Sequence, residues 1–397
     1  MQLLLVLIDA AAFAIFIPIL ILSAEVLAAL FSKDGKPENE GVRPRLGVVI
    51  PAHDEASGIG DTLRFLIPQL QDGDRLLVVA DNCTDDTAAV ATAAGAEVIV
   101  RNEQSRRGKG YALDFGIRHL EGDPPAVVLI VDADCRVEAG SIDRLARVCA
   151  RTGRPVQALY MLLAPPGARM GMRVAEFAFT LKNRVRPRGL RSLRLPCQLM
   201  GTGMAFPWAC LSAATLATGH IVEDLKLGLE LAGVGCAPLF CPEAQVTSFF
   251  PASERGFKSQ RTRWEHGYLG VLVRDAPAVL LKSVFTLNGG LLALALDLCV
   301  PPVALLTLLA VAVWIAGAMF YVFTRVDLPL LIASAAAALL ALSVLASWAR
   351  YGRQILSLGS LAFAIAYAFL KIPLYFRFLV ARQFEWVRTK RDEDRSP

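Results

Sequence analysis

The chain has 397 residues, of which 55% are hydrophobic, and a mean hydropathy of +0.48; it is too apolar for an ordinary soluble protein, so part of it belongs in a membrane. With 41 basic and 36 acidic side chains the formal charge is only +5, so bulk charge does not argue for a nucleic-acid partner.

Residues 3–31 are apolar except for Asp9 and Glu25 and are long enough to cross a bilayer. No basic region precedes the run, and it exceeds the apolar core of a signal peptide. Lys33, Lys36, Arg43 and Arg45 follow it, which places the next domain in the cytoplasm and the N-terminus outside. From 45 to about 134, strand patterns at 46–50, 76–80, 97–100 and 126–131 alternate with helical patterns at 58–70, 84–94 and 109–120. Such alternation predicts βαβ units in an α/β domain with a mostly parallel sheet. From 169 to 194, eight Arg and Lys side chains interleave with apolar ones and Glu176 is the only acid. Two readings stay open for this stretch: an interfacial segment on an anionic leaflet, whose cations also suit a phosphate-bearing lipid, or a solvated helix with one core face.

Uncharged runs at 298–324 and 328–349 read as a spanning hairpin, with Arg350 and Arg353 suiting a return to the cytoplasm. A shorter run, 354–370, passes into a basic tail that should be cytoplasmic. Either this last segment is re-entrant or interfacial, or 283–300 also crosses despite Asp297.

Three of the four strand patterns end in acids: Asp54 and Glu55, then Asp81 with Asp85 and Asp86, then Asp132 and Asp134. Ligands of open α/β sheets sit outside the carboxyl ends of the strands, so these acids share a candidate crevice. Asp132 and Asp134, one residue apart, can hold a hard divalent cation that in turn holds a diphosphate; the plain alternative is a solvated turn. Neither a dinucleotide fingerprint nor a P-loop is present. Arg106, Arg107 and Lys109, around a Gly108–Gly110 turn that opens a helix, could meet phosphate charge or form a solvated basic loop. Glu223 and Asp224 precede a helical pattern and read as a general base with a like-charged neighbour or as helix caps. Eight cysteines lack zinc or disulfide-framework spacing, with Cys236 and Cys241 the closest pair, and are expected as small hydrophobes in a reducing compartment. None of the four histidines is expected to bind metal.

The series Val49-Ile50-Pro51-Ala52-His53-Asp54-Glu55, Asp81-Asn82-Cys83-Thr84-Asp85-Asp86-Thr87, Gly108-Lys109-Gly110, Asp132-Ala133-Asp134, Gly201-Thr202-Gly203, Glu223-Asp224 and Gln260-Arg261-Thr262-Arg263-Trp264 resembles the family 2 glycosyltransferases. More narrowly, it is similar to the membrane-integrated branch that includes cellulose, chitin-oligosaccharide, hyaluronan and poly-N-acetylglucosamine synthases and ceramide glucosyltransferase. The resemblance covers roughly 45–281, with the motifs in the family's order. It implies a GT-A fold, a nucleotide-sugar donor, a divalent cation (Mg²⁺ or Mn²⁺) and inversion at the anomeric carbon. It implies that Pro51, Glu55 and Asp81 cradle the nucleoside, that Lys109 and Asp132 touch the donor, and that Asp134 is the principal metal ligand beside Asp132. By the same resemblance Asp224 is the catalytic base, while Gln260, Arg263 and Trp264 close over the diphosphate and line the acceptor site. The sequence departs from many relatives at Asn82 and Cys83, where Gly and Ser are common, and at Val222, where Thr is common; no required carboxylate is lost.

The expected organisation is an N-terminal membrane helix (1–32), a GT-A domain (45–281, donor half 45–135 and acceptor half 136–281), membrane or interfacial helices (283–380) and a basic cytosolic tail (381–397). So few spans offer little material for a polysaccharide channel. Transfer of a sugar, with a UDP-sugar as first choice, onto a lipid-linked or membrane-proximal glycan acceptor at a bacterial inner membrane is therefore expected, with membrane lipids and other polysaccharide-assembly proteins as partners. A processive synthase is the rival among enzymes, and a silent scaffold or nucleotide-sugar sensor the rival of another class.

Overall fold

The computed structural model describes residues 2–32 and 41–380; the expected basic tail, 381–397, and Lys33 and Lys36 lie outside the described residues. A long apolar helix, α1 (Gln2–Leu30), leads into β1 (Leu46–Ala52), α2 (Ile59–Leu66), β2 (Arg75–Asp81), α3 (Thr87–Ala93), β3 (Glu97–Arg101), α4 (Lys109–Leu120) and β4 (Val127–Ile130). Next come β5 (Arg136–Val137), α5 (Ser141–Thr152), β6 (Val156–Leu163), α6 (Met170–Thr180), a π-helical turn (Leu181–Val185) and α7 (Arg186–Ser192). The domain closes with β7 (Met204–Pro207), α8 (Trp208–Ser212), α9 (Glu223–Gly233), β8 (Leu239–Phe249) and α10 (Glu254–Arg274). Two short helices, α11 (Ala276–Phe285) and α12 (Gly289–Leu298), precede α13 (Val303–Thr324), α14 (Leu328–Ser347), α15 (Leu358–Phe369) and α16 (Ile372–Val380).

The strands form one eight-stranded sheet in the order β3-β2-β1-β4-β7-β6-β8-β5. β1, β2, β3 and β4 pair in parallel, and β7 enters antiparallel to β4. β1 and β4 are buried along almost their whole length, which is why they read as continuous apolar runs. The crevice falls where β1 has β2 on one side and β4 on the other, since their connections leave to opposite sides.

Four helical stretches are long and apolar enough to cross a membrane: Leu5–Leu30, Val303–Thr324, Leu328–Gly352 and Leu358–Val380. The alternative crossing at 283–300 is a pair of ten-residue helices, α11 and α12; at about 15 Å each, neither spans a core of about 30 Å. α1 is tied to α14 and the following turn by a Ser343–Ser23 hydroxyl bond of 2.8 Å and by Tyr351, which donates to Ala29 O at 3.0 Å. Gly317 lets α13 approach the backbone of α14, where an added Cβ would stand 3.2 Å from Leu330 Cα.

In the basic stretch 169–194, α6 buries one face through Met172, Val174 and Phe177 and leaves Arg173 exposed, whereas α7 departs from both expectations. α7 turns inward and lies directly against α1: a Cβ on Gly189 would fall 1.9 Å from Glu25 O. Arg186 is 7% exposed and bridges two acids that interrupt the apolar runs, Glu25 at 2.6 Å and Asp297 at 2.6 Å. Its cation is buried because its partners lie 161 and 111 residues away in the chain, a separation that local patterning does not reveal.

Candidate active site

The carboxyl ends of β1, β2 and β4 deliver Pro51, Glu55, Asp81, Asp132 and Asp134 to one cavity of about 1030 Å³, which Lys109, Glu223, Asp224, Gln260, Arg263 and Trp264 also line. Every residue assigned a site role from the sequence thus faces the same space. The cavity continues past them to Val303, Thr307 and Val311 of α13 and to Ala337, Leu340 and Val344 of α14, so the strand-end crevice opens among apolar helices.

At the strand ends two loops lock each other. Asp54 accepts from Thr84 N–H at 2.6 Å, Glu55 N–H donates to Thr87 Oγ1 at 2.7 Å, and Ala56 N–H donates to Asp85 at 3.0 Å. Asp54 and Asp85, which gather with Cys83, are therefore spent on loop structure. Asp81 is buried; Arg101 at 2.6 Å and Asn82 at 2.9 Å both donate to its Oδ1. Burial raises its pKa and the Arg101 guanidinium pulls it back. Asn82, the departure noted above, takes positive φ (52°) and accepts from Glu103 N–H at 2.8 Å, a conformation that Asn tolerates.

Lys109 opens α4 and sits among the acids. Its ammonium donates to Asp132 and, at 2.6 Å, to Gly201 O, and it lies 4.0 Å from Glu223. These carboxylates outweigh desolvation and hold it well above the ordinary lysine pKa. Desolvation raises Asp132, Asp224 and Glu223, the last to about 8, with Lys109 opposing each. Gly201 has φ +91°, and a Cβ there would stand 3.4 Å from Asp224 Oδ2, so the Gly-Thr-Gly turn passes directly beside that carboxylate. Thr202 Oγ1 accepts Asp132 N–H at 3.0 Å. Buried Gln157 fixes this turn by donating to Thr202 O at 2.9 Å and accepting Met200 N–H at 2.8 Å. Sequence reasoning missed Gln157 and Arg101, because each acts across the sheet and neither belongs to a recognisable spacing.

Asp132, Asp134 and Cys135 bring a ligand atom each within 4.8 Å of one another. Burial and the two carboxylates drive the Cys135 thiol well above its ordinary pKa in the metal-free protein, which leaves the two carboxylates as the charged donors of this group. An all-oxygen pair fits Mg²⁺ or Mn²⁺ better than a thiophilic ion. Among the described residues the other grouping of potential ligand atoms is the Asp54 loop cluster.

Gln260, Arg263 and Trp264 occupy positions i, i+3 and i+4 of α10 and therefore share one face. Gln260 lines the cavity, and its Oε1 is buried with no hydrogen-bond partner among the described residues. Arg263 is desolvated, which lowers its pKa, and feels Glu223, Asp132 and Asp134 in compensation. Trp264 packs at 6.3 Å on Phe179, which meets Tyr160 edge-on at 5.4 Å. Glu223 and Asp224 do begin α9, yet its N-cap residue is Val222, whose side chain offers no cap.

Cys236 and Cys241 are the closest pair along the chain, but Cys236 has its sulfur 2.6 Å from that of Cys210. The sheet brings α8 to the end of α9, which spacing in the chain does not show.

The family model described as Glycosyltransferase like family 2 matches residues 44–267, more than half of the chain. The chain belongs to this glycosyltransferase family. An uncharacterized glycosyltransferase of Mycobacterium bovis is 29% identical over 201 residues, covering 47% of this chain and 86% of that protein. The probable glycosyltransferase YdaM of Bacillus subtilis is 25% identical over 268 residues, 60% of this chain and 58% of that one. Among solved structures, a mannosyltransferase from Pyrobaculum calidifontis in complex with GDP-Man and Mn2+ superposes with a TM-score of 0.54. That match covers 95% of this chain and 100% of the other at 18% identity, and it shows a shared GT-A-like fold. The family 2 enzyme described here thus combines an α/β transferase domain with apolar helices able to span a membrane.

Proposed function

We propose that this glycosyltransferase transfers a sugar, with inversion and with help from a divalent cation, from a nucleotide-sugar to a lipid-linked or membrane-proximal glycan acceptor. The observation that carries the reading is the single cavity that runs from Asp132 and Asp224 to the apolar side chains of α13 and α14. A soluble acceptor would have no use for such a path. A UDP-sugar is the first choice of donor, and the Pyrobaculum protein's complex with GDP-Man keeps a GDP-sugar on the panel.

Pro51, Glu55 and Asp81 would cradle the nucleoside, with the second oxygen of Asp81 accepting from the base edge. Asp134 and Asp132 would hold Mg²⁺ or Mn²⁺, which when bound neutralises diphosphate charge. Asp224 takes the proton of the acceptor hydroxyl as its oxygen attacks the anomeric carbon from the side opposite the departing diphosphate. Arg263 supplies positive charge to the leaving group and Gln260 an acceptor for a donor hydroxyl, while the Trp264 indole offers a face to the acceptor sugar. Lys109 opposes the upward pKa shift that burial imposes on Asp132 and Asp224, and so favours their charged forms. Arg43 and Arg45, just after α1, support a cytosolic catalytic domain, and the Mycobacterium and Bacillus relatives support a bacterial plasma membrane. The test is nucleoside diphosphate release by the detergent-purified chain across UDP- and GDP-sugars with Mg²⁺ or Mn²⁺. Turnover of one donor that is lost with chelator and in Asp224→Asn supports the reading; absence of donor binding sinks it.

A further inference from the structure

The cavity changes character along its length, from paired acids and cations at the strand ends to aliphatic side chains between α13, α14 and α15. Lys182 stands at the change. It lies on the π-helical turn Leu181–Val185 that joins α6 to α7, an irregularity that recurs at functional sites. The residue is exposed to the cavity it lines, yet protein crowds it enough for desolvation to lower its pKa, with Asp224 opposing. Its ammonium sits 5.4 Å from the centre of the Tyr268 ring. The Tyr268 hydroxyl is 2.8 Å from both Leu298 O and Val300 O, which places this point at the foot of α13.

The neighbouring cations are committed. Arg186 is held by Glu25 and Asp297, Lys371 lies 2.5 Å from Glu265, and Arg261 bonds Tyr367 and lies 3.9 Å from Glu265. Among the described residues Lys182 has no carboxylate within ion-pair distance and no hydrogen-bond partner. An ammonium that faces the cavity without an acid of its own leaves its charge available to an anionic ligand that enters there. Beyond it the walls are small and apolar, including Ala304, Ala337, Ala341 and Ala364, and would leave room for a hydrocarbon chain.

We propose that Lys182 receives the phosphate of a lipid acceptor, holding it at the boundary between the transfer site and an apolar cleft that takes the lipid chain. The inference rests on the transfer reading above and adds the charge of the acceptor: a phosphate joins the lipid chain to the sugar whose hydroxyl reaches Asp224. Free phosphate would satisfy the ammonium and leave the cleft unfilled, so the occupant is a membrane lipid.

The experiment measures binding to the full chain in nonionic detergent, through quenching of tryptophan fluorescence, with three probes: a long-chain alkyl phosphate, the corresponding alkanol and inorganic phosphate. The alkyl phosphate is expected to bind at least about tenfold more tightly than either other probe. Lys182→Met should abolish that preference and Lys182→Arg should keep most of it, while both variants still bind UDP or GDP with Mn²⁺, which reports on folding. Equal affinity for alkyl phosphate and alkanol in the unmodified chain, or a preference that survives Lys182→Met, would overturn the proposal. Inorganic phosphate binding as tightly as the alkyl phosphate would overturn the lipid assignment. Failure of the unmodified chain to bind either UDP or GDP with Mn²⁺ would count against the transfer reading instead, so the two can fail separately.

Discussion

Replacing Arg186 with Met removes the cation that joins the first helix to the transferase domain, and the structure sets the size of the effect. The guanidinium donates at 2.6 Å to Glu25, at 2.6 Å to the Asp297 carboxylate and at 2.7 Å to Asp297 O. Glu25 and Asp297 are 3% and 6% exposed, so neither can turn to water once the arginine is gone. Removing one partner of a buried ion pair costs about 3–5 kcal/mol, and here one substitution strands two carboxylates, which places Arg186→Met near the upper end of that range. A triple variant, Glu25→Leu, Arg186→Met and Asp297→Leu, leaves no buried charge and should recover most of the loss. The assay is denaturant unfolding of the purified chain in detergent, with the single and triple variants run together. A loss below about 1 kcal/mol in Arg186→Met, or a triple variant less stable than the single one, would refute a desolvated bridge between α1, α7 and α12.

Gly189→Ala places a Cβ 1.9 Å from the Glu25 backbone oxygen and must separate α7 from α1, so protease cleavage between the first helix and β1 should become faster in the folded protein. Asp134→Asn should abolish Mn²⁺ binding in the presence of UDP, read from the free-Mn²⁺ signal in electron paramagnetic resonance, whereas Asp54→Asn, outside the proposed metal pair, should not. The pH dependence of the metal-free protein follows from Glu223, whose carboxyl rises from 4.5 to about 8. Between those values the folded chain holds a proton that the unfolded chain has lost, so stability falls as pH rises through the window and levels off above it. Thermal unfolding in chelator should show this decline, and Glu223→Gln should flatten it.

The donor side of the site was legible because its strands are buried on both faces and run unbroken into charged residues, so that Asp81, Asp132 and Asp134 mark strand ends without any knowledge of contacts. Lys109 as the first residue of α4 was likewise readable from the glycines around it. The second half of the sheet was not: β8 mixes Cys, Pro, Glu, Gln, Thr and Ser, and pairs in parallel with β6 through a register shift after Ala158 that no alternation pattern signals. The stretch 169–194 misled for a related reason, since the charge of Arg186 looks solvated until α1 and α12 supply its acids. Lys182 was counted in the same run of basic residues. Nothing in that run distinguished the cation left without an acid from the one held by two.

The most direct test of the central claim is to supply membranes or lipid–detergent micelles containing the protein with a radiolabelled UDP- or GDP-sugar and Mn²⁺, and then to separate organic-soluble from aqueous and polymeric products. The account predicts label in the organic phase carried by a lipid with one added sugar, and none with Asp224→Asn. Label confined to a long soluble or insoluble polymer, or to free sugar released by hydrolysis, would contradict it.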